Sequence, residues 1–301
     1  MTTFDQLVRR VRQQLLGFAM NQESVSELSA PMAAGDTTFT CDTGTITNVS
    51  RGLVEIDDEL ILVKAFDQTS GVVSILGLTN GRGYEGTTAA SHAAHALVTS
   101  NPAFPKARIK EAINDTISGL YPDLVVFGST EITKLAPVIE YELPSETEGV
   151  WYVVAQLIGP SKVAQPLPNW RYNPKARTAN FASGKSIQIF DSVTPGQAIK
   201  VVYALQPTQL VNGTDDLTST GYPDRYDDLV VYGACKRLLP ALEAARMQLQ
   251  SVETTERAAL VPPQSAAKAA SLYASLYSER LEQERALMFD DVPNYAHYQG
   301  S

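Results

Sequence analysis

The feature that most constrains this chain is a hydrophobic period that keeps changing along its length. Apolar residues first recur at helical spacing, then give way to short β-branched runs broken by Gly, Asn and Asp. The helical period returns near residue 105, β texture returns after residue 131, and helices follow from about residue 224. An amphipathic helix must bury its stripe against something, and the two early helices are too short to persist alone in water. The economical solution is an α+β chain: a discontinuous helical bundle made from residues 1–30, 101–128 and 216–289, with two inserted β domains. Residues 31–100 read as a small barrel-like domain and residues 129–215 as a β-sandwich. Residues 290–301 have no helical period and read as an extended C-terminal tail.

Particular residues carry these assignments. Thr3 and Gln6 fit a capping box, with Phe4, Leu7, Val8, Val11 and Leu15 on one face and Gly17 as the stop. Strands are expected over 53–56, 59–64 and 71–76, then over 138–143, 151–158, 187–190 and 199–205. A second helix presents Ile109, Ala112, Ile113, Thr116, Ile117 and Leu120, and Pro122 ends it. In the last third, Asp224 is the expected cap and Pro240 the expected kink or restart. A final helix carries Leu272, Leu276 and Leu281, with Arg280 and Glu284 as an i,i+4 pair worth a few tenths of a kcal/mol.

Composition narrows the function. The chain has 301 residues, is 44% apolar and carries a net charge of −9. It can therefore build real cores, and it has no general affinity for free nucleic acid or anionic lipid. No apolar run reaches the ~18–20 residues that span a bilayer, and the start lacks the order of a secretory signal. Cys41 and Cys235 lie far apart and exclude a disulfide framework, so both are expected to be reduced and buried.

Several strings look like chemistry. Gly81, Gly83 and Gly86 match G-x-G-x-x-G, but no βαβ unit surrounds them, and Lys106 stands where a dinucleotide site needs an acid. The glycines are expected to serve a turn. His92 and His95 lack further zinc ligands nearby and are expected to be satisfied by turn backbone. Asp57, Asp58 and Glu59 read as an acidic hairpin turn. Nothing nominates catalysis, a metal or a cofactor. One asymmetry stands out: residues 149–190 hold Lys162, Arg171, Lys175, Arg177 and Lys185 with no Asp or Glu, leaving −14 on the rest. Trp170, Tyr172 and Phe181 interleave these cations, as on a nucleic-acid or acidic-partner surface.

Residues 81–98 include Gly86-Thr87, Ala89 and His92. This Gly-Thr-x-Ala-x-x-His element resembles one common in structural proteins of tailed bacteriophages. Residues 106–122 and 226–239 are similar to two helices of head-to-tail connector (adaptor) proteins. The resemblance implies a virion neck protein that is not an enzyme. Such a protein is made in the host cytoplasm and forms a ring of about twelve copies under the portal, joining capsid to tail and conducting DNA. The implied partners are other copies of itself, the portal protein, and a tail stopper, terminator or other tail proteins. DNA passes without specific binding, and no membrane or cofactor is involved. The tail residues Asp290, Asp291, Val292, Pro293, Tyr295 and Tyr298 are expected to contact the portal, because tyrosines beside a proline give area at low entropic cost. Arg171, Lys175, Arg177 and Lys185 are the expected partner-binding window. The alternative is a tail-completion, baseplate or tail-fibre protein with a glycan-binding sandwich.

Overall fold

The protein, as a computed structural model, is described over residues 1–16, 23–77, 81–156, 164–249 and 265–291. Among these residues it is mixed α+β, with helices α1 (Phe4–Leu16), α2 (Lys106–Gly119), α3 (Asp227–Leu249) and α4 (Ser265–Asp291) and three antiparallel sheets. The chain divides into two compact units, one holding residues 4–115 and 230–277, the other residues 1–3, 116–229 and 278–301. Each unit contains both helix and sheet.

The first unit contains strands β1 (Ser24–Glu27), β2 (Thr38–Thr40), β3 (Gly52–Ile56), β4 (Glu59–Phe66), β5 (Val72–Ile75) and β6 (Leu97–Ser100), ordered β1-β6-β3-β4-β5-β2. β1 pairs with β6, so the sheet takes in a segment that the sequence reading leaves with the helices. Its two outer strands meet beyond their ends: Leu28 bridges Cys41, Ser29 N–H donates to Thr40 O and Asp42 N–H to Glu27 O, each at 2.9 Å. The period-2 alternation sends Val54, Ile56, Ile61, Val63, Val73 and Val98 into one core. Cys41 joins that core and Cys235 is buried on α3; burial pushes their thiols up to about 11 and about 12.

The α1 stripe behaves as its spacing requires, with Phe4, Leu7, Val8, Val11 and Leu15 all buried. Polar contacts connect the helices of this unit. Lys110 of α2 lies over the Phe4 ring of α1, Tyr273 of α4 donates to Gln14 of α1 at 2.9 Å, and Arg237 of α3 donates to Asp115 O of α2 at 3.2 Å. Lys236 of α3 lies over the Tyr277 ring of α4. The sheet holds α2 through acids: Glu55 accepts the Lys106 backbone N–H at 2.8 Å, and Asp58 pairs with Lys106 at 2.7 Å and Lys110 at 2.8 Å. Burial raises the Glu55 carboxyl despite that N–H and the nearby Arg12.

Of the kink or restart expected at Pro240, the restart does not occur. α3 continues through Pro240 without a break. Losing one hydrogen bond there costs about 3 kcal/mol, which a long helix with Val230, Val231, Ala234 and Leu239 buried absorbs. On α4 the buried face is Ala266, Ala269 and Tyr273, while Leu272 points outward at 55% exposure.

The second unit contains β7 (Val126–Thr133), β8 (Glu140–Glu142), β9 (Gly149–Gln156), β10 (Ala164–Pro166), β11 (Trp170–Asn173), β12 (Ser186–Ile189) and β13 (Ala198–Leu205). They form a four-stranded sheet, β10-β9-β13-β7, and a three-stranded sheet, β11-β12-β8. Val153, Ala155, Ile199 and Val201 from the first share one core with Tyr141, Trp170, Ile187 and Ile189 from the second. β7 starts at residue 126, inside the stretch assigned by sequence to helix. Asp224 accepts the Thr2 N–H at 3.1 Å, in place of the expected role as helix cap. The Arg280–Glu284 pair forms, but Glu284 is fully buried and also takes Arg225 Nε at 2.8 Å. It is therefore a three-charge clamp, in which removing both arginines strands the buried Glu284 carboxylate. α4 runs to Asp291, past the expected start of the tail.

Candidate interaction surfaces

The most chemistry-like constellation lies in the first unit, around the glycine-rich run. Period-2 parity on β4 puts Glu59 on the same face as Ile61 and Val63, so a carboxylate enters the core and needs partners. Arg82 supplies them. Its Nε donates to Glu59 Oε1 at 2.6 Å and Nη2 to Glu59 Oε2 at 2.9 Å. The remaining guanidinium bonds go to backbone carbonyls of Ala33 at 2.9 Å, Asp36 at 3.2 Å and Ala90 at 2.6 Å. All five donors of the guanidinium are thus spent. Glu59 also accepts the N–H groups of Gly83 at 2.9 Å and Ala90 at 3.0 Å, and faces His92 Nε2 at 2.9 Å. Burial pushes its carboxyl up, but the hydrogen bonds from Arg82, Ala90, His92 and Gly83 outweigh that and bring it down to about 2.

The glycines of the string now have structural reasons. Gly83 has φ +58°, and a Cβ there would lie 2.6 Å from Thr87 O; a Cβ on Gly81 would lie 2.8 Å from Leu76 N. They let the backbone wrap closely around Arg82. The two histidines differ. His92 Nδ1 is 2.8 Å from Asp57 Oδ2, so its ring stands between carboxylates rather than on turn backbone, while His95 is exposed. Asp57 and Asp58 do form the hairpin turn between β3 and β4, yet each acid of that trio also holds another segment. The hub staples residues 33–36, 57–59 and 82–92 into one piece.

The basic window lies in the second unit on the β11–β12 hairpin. Arg171, Lys175 and Arg177 are exposed, and among the described residues no carboxylate lies within ion-pair distance of them. Lys185 turns away, donating from Nζ to Thr147 O at 2.6 Å. Of the three aromatics expected on this surface, Phe181 stays partly exposed in the hairpin loop, while the other two pack on the core. Trp170 is buried in the core, and the half-buried Tyr172 donates to Thr147 O at 2.8 Å. β-Sheet alternation turns these rings inward and Arg171 outward, so they offer no stacking platform. Lys162 lies outside the described residues.

A third surface is apolar. At the other end of β12 from the basic tip, Phe190 is 57% exposed, and Leu135, Val138 and Ile139 are exposed beside β8, with Ile189 N–H bonded to Ile139 O at 2.8 Å. Sequence reading missed it. Its signal was an apolar 135–139 run with a proline at 137. Of the expected portal-contact residues, Asp290 and Asp291 are in the last turn of α4, and Val292, Pro293, Tyr295 and Tyr298 lie outside the described residues. No described helix is long and apolar enough to cross a membrane. The model of a protein family described as SU10 adaptor protein matches residues 88–292, more than half of the chain. No curated protein matches it.

Proposed function

This chain belongs to the SU10 adaptor protein family, and we propose on that premise that it is a head-to-tail adaptor in the neck of a tailed-bacteriophage virion. In this reading it is made in the host cytoplasm and assembles as a ring of about twelve copies under the portal. Its mechanism is recognition and conduction, with no bond made or broken. The net charge of −9 per chain, repeated around a ring, gives an acidic passage that repels phosphate and lets DNA slide.

The family match is the observation that carries this reading, because it spans α2, α3 and α4 together with the second unit's sheets. The finer architecture is read as a discontinuous helical bundle with two inserted β domains, a barrel-like sheet and a β-sandwich. The contacts among α1, α2, α3 and α4 in the first unit, and the Leu28–Cys41 bridge, support it. The apolar end formed by Leu135, Val138, Ile139 and Phe190 suits a contact with tail components. Residues 290–301, with Asp290, Asp291, Val292, Pro293, Tyr295 and Tyr298, are assigned to the portal, and Arg171, Lys175, Arg177 and Lys185 to a partner contact.

Mass measurement and electron microscopy of the purified chain, alone and with portal rings, test the proposal. Rings that stack on portal and fail to retard duplex DNA at physiological salt are the expected result. A trimer that binds glycans overturns it in favour of a tail fibre. Removing residues 290–301 should leave thermal unfolding unchanged and abolish portal association; unchanged association moves that contact elsewhere.

A further inference from the structure

We propose, resting on the ring reading above, that the tip of the β11–β12 hairpin is the positive half of the contact between neighbouring copies of this chain. Between residues 149 and 190 there is no acid, and every ion pair among the described residues lies outside that window. Elsewhere, Arg12, Arg82, Lys106, Arg108 and Lys110 each have a carboxylate. Arg171, Lys175 and Arg177 do not, and they project from a backbone that is tied down. Ala176 N–H donates to Gly184 O at 2.9 Å, Asn180 and Phe181 N–H donate to Arg177 O at 2.9 and 3.0 Å, and Gly184 N–H donates to Phe181 O at 2.9 Å. Ala176 is buried beneath the tip. Cations presented from a fixed frame lose little entropy when they meet a partner.

The occupant follows from charge. Copies of a −9 chain repel one another, and a contact that opposes unlike charges offsets that repulsion. Glu142 and Glu140 of β8 flank the hairpin but take Ser183 N–H at 2.7 Å and the Ser186 hydroxyl at 2.6 Å, and neither pairs with the three cations. With +5 in the window and −14 elsewhere, an identical neighbour presents acidic surface for Arg171, Lys175 and Arg177 to meet. A contact between a basic tip and a different, acidic face is heterologous, which is the kind that closes rings. Duplex DNA fits less well, because Trp170 and Tyr172 are turned inward and the rest of the chain repels phosphate.

Sedimentation of the full chain at low and high salt reads this directly. Wild-type rings should dissociate as salt rises. The triple variant Arg171→Glu, Lys175→Glu, Arg177→Glu should lose rings at concentrations where the wild type is fully assembled, with its melting temperature unchanged. The milder Arg171→Gln, Lys175→Gln, Arg177→Gln set should weaken assembly about tenfold and decides the matter should the first set misfold. Rings indifferent to salt and to both sets overturn the contact and leave the ring reading standing. A wild type that is monomeric at every salt overturns both. Intact variant rings together with loss of DNA retardation overturn the contact in favour of nucleic acid.

Discussion

The Arg82 hub and the β11–β12 tip are both charged and glycine-bearing, and both resemble functional motifs as strings. They differ in how much of their bonding capacity the fold uses. Arg82 gives all five donors to Glu59 and to three carbonyls, and Glu59 takes backbone N–H groups in addition. At the tip, Arg171, Lys175 and Arg177 keep their donors for water or a partner. A saturated charge cluster serves the fold, whereas an unspent one on a rigid frame is available for recognition.

Three experiments can break or sharpen that contrast. The largest effect should come from Arg82→Ala, which leaves Glu59 buried without its cation and should destabilise the chain by about 3–5 kcal/mol in denaturant titration. Near-normal stability would show that the hub is not a staple. Next is acid. The Glu59 carboxyl lies at about 2, below its ordinary 4.5, so its contribution is full above the ordinary value and is lost as pH falls from there toward 2. That amounts to about 3 kcal/mol, and a Glu59→Gln variant should show a flatter stability profile across that window. The smallest effect belongs to Arg171→Gln, Lys175→Gln and Arg177→Gln, each expected to shift stability by less than about 0.5 kcal/mol. A larger loss would mean the tip is structural and would remove the contrast.

The same two regions show what sequence could and could not reveal. The stripes of α1 and α2 were legible because period 3.6 is local, and β3, β4 and β5 were legible from β-branched runs between turn formers. The hub was half visible: Glu59 shares strand parity with Ile61 and Val63, which marks a buried acid, but nothing local points to Arg82, 23 residues on. Trp170 and Tyr172 read as surface because they stand among cations, and only strand register shows which residues of β11 face the core. β7 was hidden by Gly128, Ser129 and Glu131, which dilute its alternation, and by its place just after a helix. On α4, Ala266, Ala269 and Tyr273 are buried while Leu272 is exposed and Leu276 and Leu281 are half-buried, since small residues leave a weak hydrophobic period.

The buried thiols have a consequence for durability. In an oxidising environment exposed cysteines cross-link neighbouring chains. With Cys41 at about 11 and Cys235 at about 12, both without solvent contact, the reactive thiolate is present at neutral pH in only about one molecule in ten thousand or fewer. Surroundings that turn oxidising therefore leave the chain's covalent structure as it is.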